Sequence, residues 1–139
     1  MKTYNIYNGT AREINIIQGA TWKRVNGLRR LVGGEVIKTI PHNKYIKTHF
    51  VKVEGGTKCD IPIQEFKVPA GWTASKWTGD ELDMIILSWE YINQVAKISS
   101  EAKERITLPA NAYGLGEPVW NETGDKVIGH TCLIPAWIQ

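Results

Sequence analysis

The chain has 139 residues, of which 42% are hydrophobic and 22% are charged, and this balance excludes an intrinsically disordered protein. Its formal net charge of +3 is mild and falls short of the dense basic stripe that duplex-binding proteins carry. The longest uncharged apolar run, Met84–Leu87, is too short to span a bilayer, and Met1–Tyr4 lacks the apolar core of a signal peptide. We therefore expect a single cytoplasmic domain covering residues 1–139.

The first forty residues predict short strands separated by turns. Residues 4–7 and 13–17 flank the turn signal Asn8-Gly9 and are expected to pair as a hairpin. Residues 21–30 are basic, with Asn26-Gly27 as a turn signal inside them. Residues 35–40 come next, as a strand that Pro41 ends.

The middle of the chain predicts two further strands. Apolar and polar residues alternate from Ile46 to Lys52, which indicates a half-buried strand over residues 45–53, ended by Gly55-Gly56. Residues 60–68 form an edge strand or a bulged strand, because Pro62 has no amide hydrogen to donate to a neighbour.

The last third predicts a buried strand that runs directly into a helix. Ser88 follows the strand and is a suitable N-cap. The helix after it has an apolar face and a polar face. The apolar face contains Trp89, Ile92, Val95, Ala96 and Ile98, and the polar face contains Glu90, Asn93, Gln94 and Lys97. Ser99-Ser100 is expected to interrupt the helix and to cap a second one over residues 101–105.

A hairpin is expected near the C-terminus, where residues 119–120 and 126–128 flank Thr123-Gly124. The order of elements shows no repeated strand–helix–strand alternation. The predicted fold class is α+β, with a mainly antiparallel sheet, one or two C-terminal helices and a C-terminal hairpin.

The residues that would indicate an enzyme, a metal site or a cofactor site do not form a pattern. His130 and Cys132 are spaced like metal ligands but have no second pair to complete a set of four. The stretch Gly114-Leu115-Gly116 lacks the Lys-Ser/Thr that a phosphate-binding loop requires. Cys59 and Cys132 are expected to be reduced and partly buried. The sequence therefore predicts no enzyme, no metal ion and no cofactor.

The aromatic residues suggest binding instead. Trp89 and Tyr91 lie at the strand-to-helix junction, and Trp120 lies at the edge of the expected hairpin, with no cluster of acid, base or nucleophile beside them. Such an arrangement favours holding a flat, polar, charged molecule without reacting with it.

Five segments, in this order, give the chain a family resemblance: Tyr7-Asn8-Gly9-Thr10, Val36–Pro41, Asp60-Ile61-Pro62-Ile63, Ile85–Ser88 and Pro118–Gly129. From Tyr4 to Leu133 the chain resembles small bacteriophage proteins, in particular the anti-Thoeris sponge proteins. It departs from them where Trp120 and Asn121 replace an arginine and an aspartate, and where Asp60 replaces a glycine.

The resemblance implies a non-enzymatic inhibitor of bacterial immunity in the host cytoplasm. Proteins of this family bind a cyclic ADP-ribose isomer made by a defence enzyme and keep it from its effector, and some also sequester cyclic oligonucleotides at a separate site. They form homo-oligomers, from dimers to hexamers, with ligand pockets at subunit contacts.

On this hypothesis the aromatic residues would stack on the ligand's base. Trp120 is the first candidate, and the alternative is a tryptophan that packs on its own sheet. Trp89 shares the apolar helix face, which favours the core, whereas Tyr91 lies off that face and suits a ligand or an interface equally.

Polar residues would complete the ligand site. Asn93 and Asn121 could contact the adenine edge or ribose hydroxyls, or serve as ordinary surface and turn residues. The amides after Ser88 would hold the pyrophosphate, with Arg105 or Lys47 as the cation. Lys47 is also the kind of lysine that is simply exposed.

Two other classes of function fit the same composition. A single-stranded nucleic-acid-binding protein would use the mild positive charge and the scattered aromatic rings, and its affinity would fall steeply with salt. A structural phage protein would use its tryptophans for subunit contacts and would bind no nucleotide. A hydrolase that destroys the signal is a further alternative, which release of intact ligand by heat would exclude.

Overall fold

A computed structural model describes residues 3–72, 82–102 and 108–136, which contain twelve strands and one helix. The first seven strands are β1 (Ile6–Asn8), β2 (Ile14–Gln18), β3 (Thr21–Val25), β4 (Leu28–Val32), β5 (Glu35–Ile40), β6 (Val51–Lys58) and β7 (Ile61–Lys67). The later elements are β8 (Met84–Ile86), α1 (Trp89–Ala102), β9 (Ala112–Leu115), β10 (Pro118–Trp120), β11 (Val127–His130) and β12 (Leu133–Pro135).

The strands form three sheets, and the fold class is α+β. A four-stranded sheet has the order β1-β8-β9-β12, a six-stranded sheet has the order β3-β4-β10-β11-β2-β5, and β6 with β7 forms a two-stranded ribbon. The two larger sheets are mixed, because β1–β8, β8–β9, β4–β10 and β2–β11 pair in parallel. Five of the nine strand pairs in the described residues are antiparallel, and the four parallel pairs were not expected. These parallel pairs join segments far apart in the chain, where turn residues give no information about pairing.

Local hairpins follow the turn chemistry of the sequence. Asn26 and Gly27 both have positive φ (50° and 80°), and they join β3 to β4 as a two-residue turn. Cys59 and Asp60 do the same for the ribbon, with φ of 52° and 62°. Cys59 and Cys132 are free thiols, but both are exposed, so the expected partial burial is wrong.

The hairpin expected around Asn8-Gly9 does not form. β1 pairs with β8, whereas β2 belongs to the six-stranded sheet. The buried Asn8 side chain redirects the chain here. Its Oδ1 accepts hydrogen bonds from the amide and hydroxyl of Thr10 (3.0 and 2.6 Å), and its Nδ2 donates to the carbonyl of Arg12 (2.9 Å). Gly9 N donates to Ile86 O (2.8 Å), which holds the turn against β8.

The strand expected over residues 45–53 begins later, at Val51, and continues through Gly55-Gly56 to Lys58. Residues 41–50 lie outside regular structure. Individual hydrogen bonds connect them to other segments of the chain. Ile46 N donates to Gly9 O (2.9 Å), and His49 N donates to Gln94 Oε1 (3.0 Å). A bulge between Glu54 and Thr57 lets the ribbon pass the two glycines.

The helix begins as expected, since Ser88 Oγ accepts a hydrogen bond from Tyr91 N (3.3 Å). Its buried face differs from the prediction: Tyr91 and Gln94 are buried, and Ala96 is exposed. Tyr91, Ile92 and Val95 pack with residues of β8 and β9 in the core. α1 continues through Ser99-Ser100 to Ala102, so the expected interruption is wrong. The rest of the predicted second helix lies outside the described residues.

In the described part of the chain, no helix is long and apolar enough to cross a membrane.

Candidate functional site

The N-terminal end of α1 opens onto a cleft of about 520 Å³. Its walls come from the turn after β1, the start of α1, the end of β9, strands β10 and β11, and Tyr45 from the irregular segment 41–50. The charged and aromatic side chains of the walls include Arg12, Glu13, Tyr45, Trp89, Glu90 and His130. The volume lies within the range of about 300–1,000 Å³ that small-molecule sites occupy.

Trp89 is fixed in position at the helix end of the cleft. Its Nε1 donates a hydrogen bond to Leu115 O (2.6 Å), and its ring lies directly over Gly114. A Cβ at Gly114 would lie 2.5 Å from Trp89 Cζ2, so the close approach of ring and strand requires glycine. β9 therefore sets the place at which the first turn of α1 meets the cleft.

The turn after β1 presents a cation to the same cleft. Arg12 is exposed, and its carbonyl is held by Asn8 Nδ2 (2.9 Å) and Thr10 Oγ1 (3.0 Å). Within residues 3–72, 82–102 and 108–136 no carboxylate pairs with its guanidinium, since the salt bridge found there joins Lys23 and Glu122. The backbone of Arg12 is thus fixed while its charge is available to a ligand.

His130 and Tyr45 add a ring nitrogen and an aromatic side chain to the walls of the cleft. His130 Nδ1 lies 3.1 Å from Gly116 O, and because a carbonyl only accepts, Nδ1 is the donor of this hydrogen bond. Tyr45 is 37% exposed. The nearby Asn15 is already engaged, since its Nδ2 donates to Ile128 O (3.3 Å) and its Oδ1 accepts from Thr39 (2.8 Å).

Two of the residues predicted from the sequence, Ser88 and Trp89, line the cleft. Tyr91 does not, because it is 1% exposed and packs edge-on against Trp72 with ring centroids 6.0 Å apart, so its expected position off the buried face is wrong. Asn93 and Lys47 are exposed but are not part of the cleft wall. Arg105 lies outside the described residues.

Trp120 and Asn121 belong to a separate cluster around the loop between β10 and β11. The guanidinium carbon of Arg30 lies 3.8 Å from the centroid of the Trp120 ring, and Arg30 also donates to Gly124 O. One ring face is therefore covered by a side chain of the protein. Trp120 is adjacent to the cleft, because its partner in the strand pair, Val127, lines the wall.

The side chain of Asn121 is committed to the loop itself. Its Nδ2 donates to Asp125 Oδ1 (2.7 Å), and its Oδ1 accepts from the amides of Asp125 (3.1 Å) and Lys126 (3.3 Å). Hydrogen bonds from Thr123, and then from Asn121, lower the pKa of Asp125 below its ordinary value. These bonds organise the turn, so Asn121 holds the loop in shape.

Sequence reasoning missed Arg12, Tyr45 and His130. The signal for Arg12 was the Asn8-x-Thr10 pattern, which marks a turn built from side-chain hydrogen bonds and so fixes the backbone of the next residues. Tyr45 had no such signal, since the alternation that begins at Ile46 predicts a strand over residues 45–53 where the structure has an irregular segment.

The cleft combines a helix N-terminus, a cation, carboxylates and aromatic rings, which suits an anionic ligand with a ring system. Among the described residues, no three of His, Cys, Asp and Glu come together as metal ligands. Comparisons with family models, curated proteins and solved structures found no match to this chain.

Proposed function

We propose that this chain is a non-catalytic binding protein that captures a small cyclic nucleotide of the cyclic ADP-ribose class in the cleft at the start of α1. The observation that carries the proposal is the meeting of the capped helix N-terminus, the exposed Arg12 and the rings of Trp89 and Tyr45 around one 520 Å³ space. The resemblance to anti-Thoeris sponge proteins supports the same class of ligand and a role in the cytoplasm of the infected host cell.

The pyrophosphate would lie between α1 and Arg12. The first amides of a helix carry a partial positive charge. Ser88 Oγ accepts a hydrogen bond from the amide of Tyr91, and the other amides of the first turn remain available to an anion. Arg12 adds a planar donor that can contact two phosphate oxygens at once. Together they supply charge and geometry for one or two phosphate groups rather than for a long polyanion.

The base would stack on an aromatic side chain of the cleft. Tyr45 is the better candidate, because it is 37% exposed, whereas Trp89 is held by Leu115 O and forms the end of the cleft. Stacking of a base on an aromatic ring is worth about 1–3 kcal/mol.

The carboxylates of Glu13 and Glu90 would accept hydrogen bonds from ribose hydroxyls, as acidic residues do in dinucleotide sites. Glu90 also lies in the first turn of α1, where its charge stabilises the helix. A cleft with one cation and two carboxylates favours a ligand that has both phosphates and sugar hydroxyls over inorganic phosphate.

Sequestration requires ground-state affinity, whereas catalysis requires groups that bind the transition state more tightly than the substrate. Around the cleft, within the described residues, Ser88 is used as a helix cap and His130 is bound to Gly116, so neither is paired with the other as nucleophile and base. This arrangement supports a protein that holds its ligand unchanged.

We also propose that the chain acts as a homo-oligomer, a dimer or a hexamer. Val51 (47%), Ile61 (61%) and Ile63 (37%) lie on one face of the ribbon and are exposed, and a two-stranded ribbon is marginal when it stands alone. Burying these side chains against a second copy would stabilise the ribbon.

Isothermal titration calorimetry with purified cyclic ADP-ribose isomers tests the ligand and the site together. The wild-type protein should bind one isomer at one ligand per protomer or at a fixed fraction of it. Arg12→Ala and Tyr45→Ala should each weaken binding by about 1–3 kcal/mol, through loss of a charged hydrogen bond and of a stacking ring. Lys47→Ala and Trp120→Ala are matched controls of the same residue classes outside the cleft wall, and we expect them to retain affinity.

The controls distinguish two kinds of failure. If Trp120→Ala and Lys47→Ala lose binding while Arg12→Ala and Tyr45→Ala keep it, the ligand class stands and the cleft is the wrong site. If no isomer binds, a structural phage protein becomes the better account. Bound ligand released by heat should be chemically intact, and a cleaved product would identify a hydrolase instead.

A further inference from the structure

The hairpin formed by β3 and β4 contains four cations arranged as two like-charge pairs. Lys23 lies directly opposite Arg30, and Arg24 lies directly opposite Arg29. Because successive side chains of a strand point to opposite faces, each face of the hairpin displays one of these pairs. Like charges placed opposite each other destabilise a strand pair unless something compensates them.

On the first face the protein itself compensates the charges. Lys23 Nζ lies 3.3 Å from Glu122 Oε2, and Arg30 stacks on Trp120 and donates to Gly124 O. Both cations are thereby held by the loop between β10 and β11.

On the second face no acid compensates them within the described chain. Arg24 and Arg29 are exposed, and neither is paired with a carboxylate there. Trp22 lies on this face, two residues before Arg24, and is 49% exposed with Arg29 5.4 Å from its ring centroid. The face thus displays two guanidinium groups that have no carboxylate partner among the described residues, beside a half-exposed indole that Arg29 approaches from one side.

From this contrast we propose that the Trp22–Arg24–Arg29 face binds single-stranded nucleic acid, as a surface separate from the cleft. The two arginines contact successive phosphates of one strand, which relieves their mutual repulsion, and an unpaired base stacks on Trp22. A duplex keeps its base faces stacked internally, so the indole favours a single strand. β3 is an edge strand of the six-stranded sheet, which leaves an extended ligand room to pass.

Fluorescence anisotropy with a labelled 20-nucleotide oligo-dT or oligo-U measures this binding. We expect saturable binding at low salt and no comparable binding of a blunt DNA duplex. The double variant Arg24→Gln/Arg29→Gln should weaken the affinity by about ten-fold or more and reduce the slope of log K against log salt by about 1.4, since each phosphate contact on a single strand contributes about 0.7. Trp22→Ala should weaken binding by roughly 5- to 150-fold.

The matched control is Lys52→Gln/Lys58→Gln, which removes the same charge from the ribbon. If this control weakens binding and flattens the salt slope as much as the arginine variant does, the attraction is net charge and the proposed face is wrong. Absence of oligonucleotide binding by the wild type, equal binding of the duplex, or binding only to anionic phospholipid vesicles would also overturn it. The three substituted side chains are exposed, so circular dichroism should show folded variants.

Discussion

Replacing Gly114 by alanine tests the contact that positions the cleft end of α1. The new Cβ would lie 2.5 Å from Trp89 Cζ2, closer than non-bonded carbons approach, and Trp89 cannot move away without breaking its hydrogen bond to Leu115 O. Overpacking of this kind costs about 1–3 kcal/mol of unfolding free energy. Urea unfolding followed by circular dichroism at 25 °C measures the loss.

A second background isolates the contact. In Trp89→Ala the ring is absent, and Gly114→Ala should then be neutral or stabilising by up to about 0.5–1 kcal/mol, because glycine inside a strand costs that much relative to alanine. The cost of Gly114→Ala should therefore differ between the two backgrounds by about 1–3 kcal/mol. Gly27→Ala is the control, since Gly27 has a φ of 80° and a Cβ added there would meet no atom within 4 Å, so its cost comes from backbone strain alone.

Equal costs of Gly114→Ala with and without the tryptophan ring would refute this reasoning, because the substitution would then act on the strand and not on Trp89. If the reasoning holds, Gly114→Ala should also weaken ligand binding in the cleft, while Gly27→Ala should leave it unchanged. This second measurement connects the packing of β9 with the site.

Two further predictions concern the loop after β10 and the ribbon. Hydrogen bonds lower the pKa of Asp125 in the folded state, so their stabilising effect is present above the unfolded value of about 3.9 and is lost as the pH falls through the folded pKa. Thr123→Val should raise the pKa of Asp125 towards its ordinary value in a ¹³C-carboxyl NMR titration, and an unchanged titration would show that Thr123 is not its main donor. Ile61→Ser with Ile63→Ser should lower the oligomeric state measured by sedimentation velocity, whereas Val36→Ser, at an exposed position of the six-stranded sheet, should not. A wild type that sediments as a monomer would contradict the homo-oligomer.

Local chemistry explains what the sequence could predict. Ser88 accepts an amide hydrogen in the first turn of α1, Pro41 follows the last residue of β5, and Asn26-Gly27 forms the turn that its composition favours. In each case the determining atoms lie within a few residues of one another, so a short stretch of sequence contains the whole cause.

Burial of polar residues in α1 is not predictable in the same way. Helical spacing counted from Trp89 places Tyr91 on the outer face, yet Trp89 is only half-buried and Tyr91, Val95 and Ile98 form the deeper stripe. Gln94 is buried, and its Oε1 accepts a hydrogen bond from the amide of His49, a residue of the irregular segment. Its Nε2 has no partner within the described chain, and such a buried amide is not expected from helical periodicity.

The candidate site is the least predictable part of the molecule. Ser88 and Trp89 can be found from the sequence because they are next to each other at the start of a recognisable helix. Arg12 and Tyr45 come from segments without regular structure, and only the folded chain brings them to the same opening. Trp120 is a natural candidate as an aromatic residue beside a turn, but the cation that covers it comes from β4, which no spacing rule connects to β10.

The parallel pairings have a consequence for biosynthesis. Ile6 pairs with Met84, Leu31 pairs with Val119, and Ile16 pairs with His130. Neither large sheet is complete until the later residue of each pair has been synthesised. Most of the polypeptide must therefore leave the ribosome before β1 gains its partner and before β2 and β4 gain their second partners. Contacts so distant along the chain slow folding, and nascent β1 and one edge of β2 would expose unpaired backbone during translation. A chain truncated before β11 should accordingly be captured by chaperones and should not accumulate as a half-built sheet.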